Sequence, residues 1–404
     1  MEDSRCRGIF VLLLFVLQVV EFAHSMARAN IISWTSIKEV AKLVVPPLSS
    51  SLHKGQMGRI GILGGSEEYT GAPFYSAKSS LMLGADLSFV FCAEAATIPI
   101  KSYSPEVMVV PFYTKEQERA TSSPSSSLSM LASIVEESGK IVIGYFSRLH
   151  TLVIGPGLGR KTVAIETTKF IIKAAVEAQL PIVIDADGLY ALNQDLSLIY
   201  GYKKCILTPN VVEFERLKQH ASQLMGKDAD VNVNLDDADD SDPYRQVLAV
   251  SKLLGGVTIF RKGAVDVISN GEVVFGINEE GSMRRCGGQG DILAGSLGLL
   301  SHWMQINAQE LDPFSEKLFS VVSSSSSLSS SEKNDLGDDP LMPKLQGVSN
   351  FSNNSLTDTL WACIFASTLV RKAGKLGFVR KKRAMTSPDV IDSIGESYEW
   401  MMEA

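Results

Sequence analysis

The chain has 404 residues, 45% hydrophobic and 21% charged, the make-up of a globular protein with material for a sizeable core. Its formal net charge of −7 argues against nucleic acid as the main partner, so any anionic ligand must be held by local donors. The five cysteines (Cys6, Cys92, Cys205, Cys286 and Cys363) are scattered and show no metal spacing, which suits a reducing compartment or a fold independent of disulfides.

Residues 1–25 read as a targeting segment. Arg5 and Arg7 precede an apolar run from Ile9 to Leu17, and Ala23-His24-Ser25 supplies small residues at a cleavage point. The run is too short for a membrane span and, with Glu2, Asp3 and Glu21, too acidic for a transit peptide, so it fits a secretory signal best. Met26 offers a second start that would give a cytosolic form. The remainder, 26–404, reads as one domain.

After a short helical pattern (Trp34–Leu43), strand-like runs appear at Arg59–Leu63, Asp86–Phe91, Val107–Val110, Thr151–Ile154, Pro181–Ile184, Lys204–Leu207 and Val257–Arg261. Helical stretches such as Pro73–Leu83 and Thr162–Glu177 lie between several of them. Short apolar runs with helical spacers predict an α/β fold with a parallel sheet covered on both faces, and ligands beyond the carboxyl ends of the strands. Ser122–Ser129 reads as a loop, and 307–354, polar and Ser-rich, as a disordered insertion carrying glycosylation triplets at Asn350 and Asn353. The apolar pattern resumes at Leu356–Val370, and a last helix is expected with Ser387 as cap and Pro388 in its first position. The basic run Arg371–Arg383 reads as a solvated helix end.

The most informative stretch is Arg284–Gly298. Gly287, Gly288 and Gly290 crowd the start of an apolar segment that continues to Trp303. Glycines there allow positive φ and close approach of a ligand, and the first free amides of the following helix form an anion site. Asp291 sits at the same helix mouth. A carboxylate beside an anion hole repels phosphate, which makes sense if it takes a proton from a hydroxyl attacking a phosphoryl group; the alternative is an Asp cap after a Gly-rich turn. Cys286 is either a small filler beside the loop or an activated thiol.

Gly155-Pro156-Gly157-Leu158-Gly159 is a glycine turn that satisfies neither the P-loop nor the dinucleotide fingerprint. Asp185 and Asp187 end a strand, where they either attract magnesium or cap a helix. Asn210 and Glu213 stand one turn apart on the same side of a helix, Lys262 at a strand end is a candidate phosphate contact, and Tyr75 either stacks on a ring or belongs to the core.

Together and in this order, the motifs carry a resemblance. Gly58–Gly61, Tyr69–Pro73, Gly155–Gly159, Asp185–Asp187, Thr208–Asn210 with Glu213-Phe214, Lys262-Gly263 with Asp266, and Cys286–Asp291 make the chain similar to the ATP-dependent (S)-NAD(P)H-hydrate dehydratases of the ribokinase-like superfamily. The likeness spans about Gly55 to Leu300 and Leu356 to Glu399; Gln289 departs from the usual Thr or Ser. It implies a three-layer α/β/α domain with a mostly parallel central sheet, ATP as co-substrate, magnesium, and repair of hydrated nicotinamide cofactors (NADHX and NADPHX). It further implies a functional link to an epimerase, delivery to mitochondrion, plastid or cytosol, and compatibility with a homo-oligomer.

By that resemblance the substrate wall comprises Tyr75, Gly157 and the turn Asn210, Val211, Val212, Glu213, Phe214, Glu215 and Arg216. The nucleotide would lie on Lys262, Gly263, Ala264, Val265 and Asp266 and on the loop Gly281, Ser282, Met283, Arg284, Arg285, Cys286, Gly287, Gly288, Gln289 and Gly290. Asp291 would stand between them as the base, and no residue is assigned as a metal ligand. A kinase of the same fold acting on a sugar or thiazole alcohol would share the glycine-loop Asp and stop at the phosphorylated product.

Overall fold

A computed structural model describes residues 41–42, 45–122, 127–225, 242–307 and 357–403. The leader, most of the Trp34–Leu43 pattern, nearly all of the 307–354 insertion and both glycosylation triplets lie outside the described residues. In chain order the principal elements are β1 (Arg59–Leu63), α1 (Gly71–Leu83), β2 (Leu87–Ala93), α2 (Glu94–Tyr103), β3 (Val107–Tyr113), α3 (Lys115–Ser122), α4 (Leu128–Ile143), β4 (Thr151–Ile154), α5 (Thr162–Glu177), β5 (Ile182–Ile184), α6 (Ala186–Leu192), β6 (Cys205–Leu207) and α7 (Val211–Met225). They continue with α8 (Pro243–Leu253), β7 (Thr258–Arg261), β8 (Asp266–Ser269), β9 (Val274–Ile277), α9 (Gln289–Ile306), α10 (Asp358–Lys381), α11 (Ser387–Ile391) and α12 (Ile394–Met402).

The strands form one sheet in the order β3-β2-β1-β4-β5-β6-β7-β8-β9. All pairings from β3 across to β7 are parallel, and the last two are antiparallel. Both faces are buried, so the strands read as continuous apolar runs. The period of two is still visible in what each residue touches. Ile60, Ile62, Val153, Val183, Ile206 and Phe260 pack with α1, α9 and α10, whereas Leu63, Leu152, Ile154, Ile182, Ile184 and Leu207 pack on the other face with α4, α5 and α7. Two buried clusters on opposite sides of one sheet make the expected three-layer arrangement.

Four expectations from the sequence need correction. The hairpin strands β8 and β9 were not foreseen, because short runs punctuated by Gly271 and Glu272 carry little periodic signal, so Lys262–Asp266 is a hairpin turn rather than a free strand end. Most of the described part of the Ser122–Ser129 loop is helical: Ser122 ends α3, and Ser127 caps α4 by accepting the Met130 amide at 3.1 Å. The cap before Pro388 is Thr386, whose amide donates to the Asp389 carboxylate at 2.8 Å. The basic run closes α10 with Arg380–Arg383 exposed, as expected of a solvated helix end, but Arg371 at its start is largely buried by an ion pair with Asp266. Among the described residues no helix is long and apolar enough to cross a membrane.

The order of strands reverses between β1 and β4, where the ligand crevice of such sheets lies. Helix α9 is drawn tightly over this point. A Cβ on Gly295 would stand 2.0 Å from the Ser76 carbonyl oxygen, and one on Gly298 2.8 Å from Val153. No side chain is compatible with that approach, so α1 and α9 are locked together and the start of α9 is aimed over the carboxyl ends of the central strands.

Candidate active site

The glycine loop ends with Gly288 at φ 96, in the left-handed region, as the residue that precedes α9. A Cβ there would be 2.6 Å from Ser387 Oγ and 2.7 Å from the Tyr75 ring, so glycine is required on both conformational and steric grounds. Gln289, Gly290 and Asp291 form the first turn of α9, whose free amides and dipole favour an anion. The capping position thus belongs to Gly288, which removes the plain-cap reading of Asp291. Tyr75 packs its ring against the loop and the core, the packing alternative for that residue.

Asp291 is only partly exposed, and its main-chain carbonyl accepts a 2.6 Å hydrogen bond from Ser76 Oγ, which pins the turn to α1. Beside it lies a buried ion pair. Asp185, 1% exposed at the end of β5, accepts from Lys262 Nζ at 2.6 Å and Thr208 Oγ1 at 2.8 Å, both on Oδ1. A Cβ on Gly290 would stand 3.4 Å from Lys262 Nζ and 3.8 Å from Asp185 Oδ2, so the pair faces the first turn of α9. Ala186, next to Asp185, holds φ 46; a non-glycine residue there costs about 1–3 kcal/mol and persists only where its surroundings impose it.

Burial pushes the Asp291 carboxyl up to about 7; the charge of Asp185 adds to this and Lys262 opposes it. For Lys262, burial acts downward, but the carboxylates of Asp185, Glu213 and Asp291 outweigh it and leave the ammonium above its ordinary value. Lys262 therefore stays charged, while Asp291 is poised to exchange a proton near neutrality, which is what a general base needs. Activity that requires ionised Asp291 should rise with pH through about 7. Stability should move the other way. The folded state holds this proton more tightly than the unfolded chain, so the stabilisation is complete below about 4 and is lost as pH rises through about 7. A pH–rate profile and urea midpoints across the same range check both signs; a rate that falls with rising pH across this window would contradict the role.

The remaining candidate residues separate into those that frame the site and those spent on structure. Gly157, at φ 61, accepts the Gly65 amide at 3.1 Å and joins the turns after β1 and β4. Asp187 accepts the Gly159 amide at 3.1 Å and Arg160 Nε at 3.0 Å, so its side chain fastens the glycine turn after β4 rather than capping a helix. Asn210 Oδ1 accepts the amides of Val212 and Glu213 at 2.9 Å, and Glu213 accepts the Asn210 amide at 2.8 Å, a reciprocal cap of α7. Val211, Val212 and Arg216 are exposed on that turn and Glu215 is partly so, whereas Phe214 is fully buried in the core and presents no side chain to a ligand. On the nucleotide side, Met283, Arg285 and Gly287 are exposed. Ser282 and Arg284 are held by the chain's own carbonyls, the latter's guanidinium donating to the Arg383 carbonyl. Cys286 packs against the core with its sulfur 3.7 Å from Ser387 Oγ, the filler reading. Asp266 is 6% exposed and its carboxylate binds the Gly263 amide, Ser367 and Arg371, so it shapes the turn around Ala264 and Val265.

Four residues with clear positions here carry no periodic signal in the sequence: Ser76, Ser367, Arg371 and Ser387. Two had a local cue: Arg371 as the first charge after the apolar stretch of α10, and Ser387 as the candidate cap before Pro388. The surface concavities around Leu48–Asp86 and around His150 and His302 lie by the amino ends of the strands, away from this chemistry.

A family model described as NAD(P)H-hydrate dehydratase matches residues 60–334. The chain belongs to that family. Similar proteins include the ATP-dependent (S)-NAD(P)H-hydrate dehydratase of Homo sapiens, 37% identical over 386 residues, 95% of this chain and 90% of that protein. The Arabidopsis thaliana protein of the same name is 36% identical over 362 residues, 90% and 84% respectively. Among solved structures, the fold is shared with an ADP/ATP-dependent NAD(P)H-hydrate dehydratase from Bacillus subtilis co-crystallised with ATP and Mg2+ (TM-score 0.54, 15% identity, 92% of this chain and 99% of that one). It is shared also with a ribokinase-like protein from Enterococcus faecalis (TM-score 0.57, 17% identity, 92% and 96%). These likenesses bear out the ribokinase-like α/β/α expectation. Within the family, the glycine loop, the Lys262–Asp185 pair and Asp291 described above are the parts of this chain that meet at one place.

Proposed function

We propose that the chain restores hydrated NADH and NADPH (the S forms) to the reduced cofactors with ATP, using Asp291 as the base. The observation that carries this is a carboxyl set near 7 on the first turn of an anion-binding helix, a poor arrangement for holding phosphate alone. The chemistry explains why ATP is needed. Expelling hydroxide is hard because water has a pKa of ~15.7. Phosphate, with a second pKa of about 6, leaves far more readily.

In the first step Asp291 takes the hydroxyl proton, the oxygen bonds to the γ-phosphorus and ADP leaves. The amides of Gly288, Gln289 and Gly290 are donors for the charge that grows on the phosphoryl oxygens. In the second step the C–O bond breaks, the ring nitrogen supplies electron density, phosphate departs, and loss of a proton from the adjacent carbon completes the double bond. The turn Val211–Arg216, exposed at Val211, Val212 and Arg216, and Gly157 form the substrate side; Lys262 and the loop Gly281–Gly290 form the nucleotide side.

Magnesium fits this scheme only as a nucleotide-borne ion. Among the described residues no three His, Cys, Asp or Glu side chains converge as a cage. Magnesium commonly keeps several waters and binds through substrate phosphates and one or two carboxylates. Asp185 Oδ2, 3.8 Å from where a Cβ on Gly290 would stand, is a carboxylate oxygen placed for that, where the ion would neutralise phosphate charge. Selection of one stereoisomer implies that an epimerising activity supplies it from the mixed hydrate.

The test is direct. Purified protein, S-form hydrate, ATP and magnesium should regenerate the long-wavelength absorbance of reduced nicotinamide with one ADP formed per ring restored. ATP consumption on a sugar or thiazole alcohol, with no recovery of absorbance, would instead identify a kinase of this fold.

A further inference from the structure

Helix α10 carries a stripe at helical spacing: Ser367, Arg371, Gly374 and Lys375. All four meet either the turn Lys262–Asp266 or the segment Glu279–Ser282 that leads into the glycine loop. Ser367 Oγ donates to Asp266 Oδ2 at 2.7 Å. Arg371 Nε donates to the same oxygen at 2.7 Å. Its Nη1 donates to the carbonyls of Ala264 and Glu279, each at 3.1 Å, and its Nη2 to the Gly263 carbonyl at 2.9 Å. A Cβ on Gly374 would sit 3.6 Å from Ser282, and Lys375 pairs with Glu280.

We infer that Arg371 is a positioning residue for the nucleotide: its guanidinium ties the hairpin turn Lys262–Asp266 to Glu279, two residues ahead of the Gly281–Gly290 loop, so that turn and loop reach the phosphates in register. This rests on the functional reading above. The geometry favours positioning over contact, because every nitrogen of the guanidinium is spent on the chain itself. A rigid planar fork can hold one carboxylate and three carbonyls at once; an ammonium is a point donor on a flexible stem. The Asp266 carboxylate braces the turn itself, since its Oδ1 accepts the Gly263 amide at 3.0 Å.

The experiment compares the parent chain with Arg371→Met and Arg371→Lys. Mg-ATP binding is measured by calorimetric titration, and KM is measured separately for ATP and for the hydrate. The inference expects the KM for ATP, and the Kd for Mg-ATP, to rise on the order of tenfold to a hundredfold in Arg371→Met, as for misplaced binding groups, with the KM for the hydrate unchanged. Arg371→Lys should recover thermal stability, because Asp266 regains a cation, and yet keep a raised KM for ATP. If the Met variant fails to fold, the Lys variant decides. Unchanged ATP affinity in folded Arg371→Lys, or a proportionate rise in both KM values, overturns the inference and leaves a purely structural role. Failure of the parent chain to bind Mg-ATP overturns the functional reading itself and the inference with it.

Discussion

Asp291→Asn should fold normally and lose roughly 10²–10⁴-fold in turnover, the usual contribution of a positioned general base. The exchange keeps the size and the first-turn position, and it leaves Ser76 bonded to the unchanged main-chain carbonyl of residue 291. What disappears is the ability to accept a proton. Above pH 7 the variant should be the more stable protein, because an ionised carboxylate at this place stands in partial burial beside Asp185, which is why its pKa lies near 7. The fall in stability expected of the parent through that pH range should vanish. Single-turnover rates and urea midpoints at two pH values test both halves. Near-parental turnover in the variant would remove Asp291 from the mechanism, whatever its titration.

Lys262→Met should cost stability as well as activity. Asp185 is 1% exposed and has Lys262 and Thr208 as its partners on Oδ1. Taking away the cation leaves a buried carboxylate with a hydroxyl alone, a loss of about 3–5 kcal/mol. The double variant Asp185→Asn with Lys262→Met should regain part of this, since removing both charges is cheaper than stranding one. The rate profile carries a second signature. Lys262 holds the Asp291 carboxyl down, so its loss should move the rising limb of activity from about 7 to higher pH. Thermal melts of the three variants and their pH–rate curves check these outcomes. Unaltered stability in Lys262→Met would mean that Asp185 finds another partner, and the ion pair would not be an organising feature of the site.

These effects depend on partners far apart in the chain, and that separates what could be read from the sequence from what could not. The seven parallel strands were legible because each is a short apolar run bounded by glycine, proline or polar residues, and the local pattern is sufficient. Helix α5 was legible for the same reason, Thr162–Glu177 being recovered with its observed limits. The antiparallel strands β8 and β9 were not, because a four-residue strand has too few alternations to stand out, and its pairing is decided by the neighbour. The glycine loop and Asp291 were legible as chemistry, since an acid next to amides that bind anions has few uses. The identity of Asp266 as a structural hub was hidden. Its sequence context, beside Lys262-Gly263, looks the same whether the carboxylate faces a nucleotide or an arginine 105 residues away.

The same limit applies at Asn210 and Glu213, whose spacing is right both for touching a ligand and for capping α7; the backbone hydrogen bonds show that capping uses the Asn210 oxygen and one Glu213 oxygen. The amino-acid order by itself determined the alternation of strands and helices, the family, and the presence of an acid at an anion-binding turn, because these reside in contiguous residues and their periods. Only the tertiary structure decided that Lys262 meets Asp185 across 77 residues, that Arg371 ties the Gly263–Asp266 turn to Glu279, and that burial lifts the Asp291 carboxyl to about 7. A carboxyl group's proton affinity is set by its desolvation and by the charges folded around it, and neither exists until the chain has closed on itself.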